Sequence, residues 1–374
     1  MSDDSDCVRV AIVQASPVFL DAQASAEKAV QLIGQAAETG AVLAAFGEGW
    51  IPGYPMHSFV TQEGELWWEV SSSYLQQAID ASGPIVQMLC DAASESGIDV
   101  VIGIAERDPI TQGTIYSTQL TIGAEGRVIG SERKLKATLH ERIVWGDSDK
   151  AMLAVHDRGY GLVSALSGWD NQMMLPAYAL AEQGTQFHVM GWPGGEPPVP
   201  PGTASPLSSP FWPRQLLTAR AFAAQAGAYV LCAAGTMFKD DIPEKYRSIL
   251  TKEFTGDSVV IDPRGEIIAG PAVGESLLVA ECRMDVLRAA KVAFDCAGHS
   301  GRPDLLPFQH PNAPQDESGF GAQDGFENSY NGDEYDSGGT FDTGNYDAGG
   351  RVGKGGMTSG WINEPPPGHG QRRR

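Results

Sequence analysis

The stretch AVLAAFGE, residues 41–48, consists of six apolar residues followed by a glycine and a carboxylate. An apolar run of this length predicts a β-strand that is covered on both faces. Such strands occur in layered α/β domains, where side chains just past the strand ends form the functional edge. Glu48 is a candidate general base, because the apolar strand and the aromatic residues after it would desolvate the carboxylate and raise its pKa. A helix cap or a salt-bridge partner is the alternative interpretation.

Outward from this strand, the chain alternates between strand and helix patterns. Further strands are predicted at 8–15, 100–104, 161–166, 186–190, 228–233 and 276–281, with hairpins at 114–131 and 258–269, and helices at 21–39, 84–96, 176–183, 214–225 and 284–291. The regular alternation predicts an α/β layered domain. Because no linker interrupts it, we expect one continuous domain over residues 1–310.

The composition changes after residue 310. Gly, Asp, Asn, Ser and Tyr dominate residues 311–374, and aliphatic residues are nearly absent. Such a segment cannot bury enough apolar surface to offset the entropy of ordering it. We therefore predict a disordered tail, which is either solvated or takes part in assembly.

The overall charge excludes two classes of partner. The chain has 374 residues and a formal net charge of −21, which would repel nucleic-acid backbones and anionic lipid surfaces. Neither a secretory signal nor an apolar run long enough to span a membrane is present in the sequence. We predict a cytoplasmic protein that binds neither nucleic acid nor membrane.

Cysteine and histidine spacing predicts no metal or organic cofactor. The five cysteines are far apart and form no CxxC pair, and the seven histidines show no ligand spacing. No glycine fingerprint for a nucleotide is present either. Most of the cysteines are expected to be small buried hydrophobic residues.

A second candidate segment is RKLKATLHERIVWG, residues 133–146. If the strand persists through it, Lys134 and Lys136 point the same way, and at least one ammonium is drawn inward. An inward lysine needs a carboxylate partner and can stabilise an anionic intermediate. The alternative is a pair of edge-strand lysines that deter aggregation.

The third segment is GLVSALSGWDN, residues 161–171, which reads as a strand, a turn and then a helix. A sharp turn of this kind exposes the residue at the strand end, as the nucleophile elbow of other hydrolases does. In this chain the exposed position is Gly168.

Taken together, these segments resemble the nitrilase branch of the carbon-nitrogen hydrolase family. The resemblance covers roughly residues 8–307, and its motifs read here VAIVQASPVFLD at 10–21, FGEGWIPGYP at 46–55, RKLKATLHERIVWG at 133–146, HVMGWPG at 188–194 and GHSGRPD at 298–304. Five ordered, spaced motifs make the resemblance specific. It assigns the catalytic amine to Lys134 rather than Lys136, and it makes Glu141 a second, supporting glutamate.

The resemblance implies a four-layer α-β-β-α sandwich that dimerises through a helical face and often builds spirals or filaments. In active members a glutamate is the general base, a cysteine attacks the nitrile carbon and a lysine supports the developing negative charge. Water then hydrolyses the thioimidate and acyl-enzyme intermediates, which releases ammonia and a carboxylic acid. The substrate class implied is a small-molecule nitrile, with Tyr54, Trp169, Trp192 and Pro193 as candidate substrate contacts. Core packing is the alternative role for the aromatic residues among them.

The chain departs from the family pattern at the nucleophile. Trp169 anchors the alignment, so the family's cysteine falls on Gly168, and none of the five cysteines lies in the motif. Ser167 is adjacent, but its offset of one residue would point the hydroxyl elsewhere, and an alcohol is harder to deprotonate than a thiol. Two motif prolines are also replaced, by Gly47 and Ala137, and each change is expected to loosen a loop.

Three hypotheses follow for the activity. The first is a nitrilase by descent whose covalent route is impaired by Gly168. A second is a catalytically inactive scaffold that binds ligands or assembles into filaments. In a third, Glu48 deprotonates a water that Lys134 helps to direct, giving slow hydration of the nitrile without a covalent intermediate.

Overall fold

A computed structural model describes residues 6–60, 62–149, 152–196, 211–302 and 305. The predicted disordered tail, residues 311–374, lies outside these ranges, as do Pro303 and Asp304 of the last motif. The domain boundary near residue 310 therefore stays a prediction.

The described residues form fourteen strands and six α-helices. The strands are β1 (Cys7–Gln14), β2 (Leu43–Ala45), β3 (Asp99–Arg107), β4 (Ile115–Gly123), β5 (Arg127–Arg133), β6 (His156–Arg158), β7 (Gly161–Ser167), β8 (Phe187–Trp192), β9 (Tyr229–Ala234), β10 (Thr236–Met237), β11 (Phe254–Thr255), β12 (Val259–Ile261), β13 (Ile267–Ala269) and β14 (Ser276–Arg283). The helices are α1 (Ala22–Glu38), α2 (Glu65–Gln77), α3 (Pro84–Ser96), α4 (Met174–Glu182), α5 (Phe211–Ala226) and α6 (Met284–Ala293).

Twelve of the strands build two six-stranded sheets. The first sheet has the order β14-β1-β2-β3-β4-β5, and the second has the order β13-β12-β9-β8-β7-β6. In each sheet the strands at the centre are parallel, β1 with β2 and β3 in the first and β7 with β8 and β9 in the second. Parallel strands direct their carboxyl ends to one edge, so residues that follow β2 and β7 are brought to the functional edge.

Three apolar clusters separate four layers. One cluster joins the inner faces of both sheets, with residues such as Ile12, Val101 and Val189. A second packs α1 and α3 on the outer face of the first sheet, and a third packs α5 on the outer face of the second. The predicted α-β-β-α sandwich is confirmed.

Helix α2 was not predicted from the sequence. Only Trp67, Val70 and Tyr74 of its residues are buried, while a run of three serines lies between the last two. The spacing of these three buried residues is helical, but the polar residues between them weaken the periodic signal. Helix α3, by contrast, begins at Pro84 and ends at Ser96, as predicted.

Candidate active site

Glu48 lies just past β2, at the interface of the two sheets. Its backbone N–H donates to the carbonyl of Trp192 at 3.0 Å, and its side chain is buried. The preceding Gly47 was expected to loosen this loop, but a β-carbon there would stand 2.6 Å from the Trp192 carbonyl oxygen. The backbone at Gly47 is therefore packed tightly against the second sheet, and the glycine permits that close approach.

Lys134 brings two carboxylates together. Its Nζ donates to Oε1 of Glu48 and to Oε2 of Glu141, each at 2.7 Å, and all three side chains are at most 2% exposed. Glu141 lies in a short 3-10 helix and is held from its other side by the hydroxyl of Tyr54 at 2.7 Å. One buried ammonium between two buried carboxylates forms a network in which every charge has a partner.

Lys136 does not join this network. Strand β5 ends at Arg133, so the alternation that would align the two lysines does not continue through them. The side chain of Lys136 is 52% exposed and pairs with Asp147 at the surface. The condition under which both lysines would share one direction is not met, because the chain leaves the sheet before it reaches either of them; Lys134 points inward and Lys136 does not.

Gly168 lies at the sharp turn after β7 and faces the same charges. Its φ of +43° is in the left-handed region, which favours glycine. A β-carbon here would stand 2.8 Å from Nζ of Lys134 and even closer to Oε2 of Glu48. The structure thus brings together the four predicted residues Glu48, Lys134, Glu141 and Gly168.

Among the residues that the structure describes, no thiol lines this site. The pocket that opens onto Glu48 and Glu141 contains no cysteine among its lining residues. Cys232 and Cys282 are buried in apolar clusters, and burial raises the pKa of the Cys232 thiol to about 12. Ser167, the alternative nucleophile, lies on the same face of β7 as Val163 and Ala165, which contribute to the cluster between the sheets.

The local electrostatics suit proton transfer at Glu48. Burial, opposed by Lys134, raises the pKa of Glu48 to about 7. Burial alone would lower the pKa of Lys134, but the charges of Glu48 and Glu141 outweigh it and hold the pKa above its ordinary value. Glu48 is thus poised near neutrality for general base chemistry, while Lys134 stays charged.

Asp170 joins the turn at Gly168 to the lysine segment. Its carboxylate accepts from the backbone N–H of Leu135 at 2.5 Å and from that of Lys136 at 3.4 Å. Burial raises the pKa of this carboxyl to about 6. Asp170 therefore holds the backbone beside Lys134 in place, a role that sequence reasoning did not assign to it.

A buried chain of hydrogen bonds also supports the turn at Gly168. Asn171 donates from Nδ2 to the carbonyls of Gly168 at 3.0 Å and Leu166 at 3.2 Å. His188 Nε2 lies 3.0 Å from Oδ1 of Asn171, and His188 Nδ1 lies 2.8 Å from the Ser164 hydroxyl. Burial lowers the pKa of His188 to about 3, so the ring is neutral and donates from one nitrogen to Asn171.

The pocket above the cluster of Glu48, Lys134 and Glu141 is narrow, and both aromatic and charged side chains line it. Its volume is about 20 Å³, enough for about one water molecule, and its lining residues are Glu48, Tyr54, Phe59, His140, Glu141, Trp169, Pro193, Gly194, Glu196, Gln215, Lys252 and Phe254. Three of the four candidate substrate contacts, Tyr54, Trp169 and Pro193, therefore face the pocket. The indole of Trp192 instead packs in the cluster between the second sheet and α5.

Several pocket residues were missed at the sequence level. His140 lies inside the quoted lysine segment, and burial lowers its pKa to about 4. Glu196 and Lys252 pair at 2.5 Å and are distant in the sequence, so no local pattern joins them. Only tertiary contact reveals such residues.

Neither a metal-binding cluster nor a membrane-spanning helix is found in the described part of the chain. No group of three or more His, Cys, Asp or Glu side chains there is placed to hold a metal ion. Among the same residues, no helix is both long enough and apolar enough to cross a bilayer.

Comparison with known proteins points to one family. The sequence model of the carbon-nitrogen hydrolases matches residues 9–292. A protein named nitrilase 2, from an unknown prokaryotic organism, is 40% identical over 304 residues, which cover 81% of this chain and 92% of that protein. An aliphatic nitrilase of Rhodococcus rhodochrous is 33% identical over 315 residues, with coverage of 82% and 83%.

Solved structures agree on the architecture. Nit3 of Saccharomyces cerevisiae, a member of the nitrilase superfamily, aligns with a TM-score of 0.59 at 22% identity, covering 77% of this chain and 94% of that chain. An amidase mutant from Nesterenkonia in complex with acrylamide aligns with a TM-score of 0.56 at 19% identity, covering 78% and 98%. At 22% and 19% identity, the similarity to these structures shows the fold alone.

Proposed function

The chain belongs to the carbon-nitrogen hydrolase family, and from that premise we propose that it carries a nitrilase-type site whose nucleophile is missing. The substrate class is a small nitrile, and the products of the complete reaction are a carboxylic acid and ammonia. Glu48 is the general base, Lys134 supports the developing negative charge and Glu141 holds Lys134. The observation that carries the proposal is the position of Gly168, whose Cα faces Glu48 and Lys134 without a side chain between them.

The cluster of Glu48, Lys134 and Glu141 is suited to each part of this chemistry. Negative charge develops on the nitrile nitrogen during attack, and a buried ammonium stabilises that charge strongly because water is excluded around it. Glu48 has an ordinary partner on Oε1, whereas Oε2 has no hydrogen-bond partner among the described residues and faces Gly168. That free oxygen is the atom that would accept a proton from an attacking group.

The absence of a nucleophile at Gly168 predicts weak or absent turnover. Removing one member of a covalent catalytic unit commonly lowers the rate by a factor of about ten thousand or more. The test is ammonia release from a panel of nitriles by the parent chain, by Gly168→Cys and by Gly168→Ser. We expect a large gain for cysteine and little for serine, and no gain for either variant would refute the proposal.

A second candidate function is hydration of the nitrile without a covalent intermediate. It is favoured by the unpartnered Oε2 of Glu48, by the pKa of Glu48 near 7 and by a pocket with room for about one water. In this route Glu48 takes a proton from water while the water oxygen bonds to the nitrile carbon. One π bond of the nitrile breaks and its electron pair goes to the nitrogen, which takes up a proton to give an imidic acid that tautomerises to the amide. Glu48→Gln should abolish any residual turnover of the parent chain, and persistence of that turnover would exclude this route.

The remaining alternative is an inactive scaffold that binds ligands or assembles. It predicts nitrile binding by the parent chain with no ammonia release, and no gain of activity when cysteine is introduced.

We also propose that the chain works in the cytoplasm and self-associates into dimers, and on occasion into spirals or filaments. Analytical ultracentrifugation tests the self-association.

A further inference from the structure

A row of polar residues occupies the inner face of β4, where an apolar surface is expected. Ser117, Gln119 and Thr121 alternate with Leu120 and Ile122, which pack in the cluster beneath α1 and α3. The three polar side chains therefore face the second sheet, and each is at most 1% exposed. We refer to Ser117, Gln119 and Thr121 as the inner polar row.

Most polar atoms in and around this row lack a protein partner. Within the described residues, no hydrogen bond reaches Nε2 or Oε1 of Gln119 or Oγ1 of Thr121, and the same holds for Oε2 of Glu132 and Oγ of Ser167. All four residues are at most 5% exposed. Buried polar groups in folded proteins are almost always hydrogen-bonded, and where protein partners are lacking the partner is buried water.

Three of the residues that carry these atoms, Gln119, Glu132 and Ser167, lie on neighbouring or facing strands. Gln119 is the register partner of Glu132 on β5. Its carboxamide carbon is 3.1 Å from the place of a β-carbon on Gly191, and Gly191 is the register partner of Ser167 on β7. The glycine at 191 thus gives the amide of Gln119 room between the sheets, beside the strand that leads to Gly168.

The row begins in the active site, and beside its middle residue it comes close to an edge of the sandwich. At the inner end, the Ser117 hydroxyl donates to Oε1 of Glu48 at 3.1 Å. Beside Gln119, its register partner Glu132 lies 3.4 Å from Nε2 of His156, whose side chain is 15% exposed. Because β5 and β6 are the last strands of their sheets, this pair marks the place where the row meets solvent.

We propose that the inner polar row holds a file of water molecules that runs from His156 to Glu48 and delivers the hydrolytic water. The inference rests on the proposed function, because each nitrile converted to an acid consumes two waters. The front pocket has a volume of about 20 Å³, room for about one water molecule, so it holds no reserve of water beside Glu48. Water that arrives through the inner polar row reaches Glu48 without passing a substrate bound in the front pocket.

The delivered water hydrolyses the acyl-enzyme. With a thiol at position 168, the water oxygen bonds to the acyl carbon and Glu48 accepts one water proton. The bond between the acyl carbon and sulfur then breaks, and the sulfur keeps the electron pair as a thiolate. Hydrolysis of the thioimidate, which releases ammonia, and hydrolysis of the acyl-enzyme each depend on a water at Glu48, whereas the first attack on the nitrile does not.

The first experiment is a crystal structure of the parent chain at a resolution that resolves ordered water. We expect waters bonded to Gln119, Ser167 and Glu132 in a continuous file that ends at Ser117. A dry space between the sheets at these residues would overturn the proposal. This measurement requires no activity.

The second experiment measures kinetics in the Gly168→Cys background. Gln119→Met and Thr121→Val remove polar atoms at nearly constant volume, and Leu120→Met, on the opposite face of β4, is the matched control. Slower hydrolysis lowers kcat about tenfold, while a covalent thioimidate or acyl-enzyme accumulates in mass spectra. A lower kcat without an accumulated covalent intermediate, or no effect in either row variant, would overturn delivery through the row.

The two experiments separate this inference from the proposed function. If Gly168→Cys releases no ammonia from any nitrile, the proposed function fails and the delivery role fails with it. The crystal structure still decides whether the row is hydrated. If the variant is active and the row variants behave like Leu120→Met, only the water route fails.

Discussion

The carboxylate of Glu48 lies against the Cα of Gly168, in space that any side chain at position 168 would need. A β-carbon there would stand 3.1 Å from Cδ of Glu48, and closer still to Oε2. The left-handed φ of +43° adds a second constraint, since only glycine adopts it freely. Restoring a nucleophile therefore requires a shift of Glu48 and a strained backbone.

We expect a stability penalty for Gly168→Cys. The left-handed backbone alone costs a residue with a β-carbon about 1 to 2 kcal/mol, so the free energy of unfolding should fall by about that amount. Urea denaturation of the parent and the variant measures it. Gly168→Ala is the control, since it carries the same backbone cost without a thiol. A variant as stable as the parent would contradict the strain argument.

A much larger loss of stability is expected when the buried ammonium is removed. Lys134→Met leaves Glu48 and Glu141 buried without a cation, and breaking a buried ionic network from one side costs about 3 to 5 kcal/mol. Lys136→Met is the matched control, because that lysine pairs at the surface and should change stability little. Equal effects of the two substitutions in chemical denaturation would disprove the assignment of Lys134 to the core.

The pH dependence of activity should report Glu48. Burial raises its pKa to about 7, and only the ionised carboxylate acts as a base. In the Gly168→Cys background, kcat/KM should therefore rise as the pH approaches about 7 and level off above it. A rate profile with its acidic limb near the ordinary glutamate pKa of about 4.3 would show that Glu48 is not the base.

His188 should make folding stability sensitive to acid. Burial lowers its pKa from 6.5 to about 3, so the unfolded chain binds a proton that the folded chain does not. The stabilisation is full above pH 6.5 and is lost as the pH falls toward 3, by at most about 1.4 kcal/mol per pH unit.

The comparison that isolates His188 uses His188→Gln. Glu48 and Asp170 titrate in the opposite sense in the same range, because burial raises the pKa of both. Subtracting the variant from the parent at each pH cancels these contributions. The stability difference between them should shrink as the pH is lowered from neutrality, and a constant difference would argue against a buried neutral ring.

The strand pattern was sufficient to predict that the three segments around Glu48, Lys134 and Gly168 meet in the site. Glu48, Lys134 and Gly168 each follow a strand, and the ends of strands converge in a layered α/β domain whatever the details of the loops. The choice between Lys134 and Lys136 came from the family resemblance. Alternation failed at these residues because it assumes a continuing strand, whereas the chain turns off the sheet after Arg133.

Other features depend on contacts that no local pattern encodes. Asp170 reaches the backbone of Leu135, and Gln119 reaches across the sandwich to Gly191. Replacement of the motif proline predicts a loose loop at Gly47, yet the opposite sheet packs directly against it. These contacts join segments that are distant in the sequence. Periodicity and motif spacing describe only local patterns, so they cannot predict such contacts.

The most direct test of the missing nucleophile is mass spectrometry of the protein after incubation with a nitrile. The parent chain should remain unmodified, and Gly168→Cys should gain a thioimidate or acyl adduct that maps by peptide sequencing to position 168. An adduct on any residue of the parent chain, Ser167 and the five native cysteines included, would contradict the assignment of Gly168 as the vacant nucleophile position.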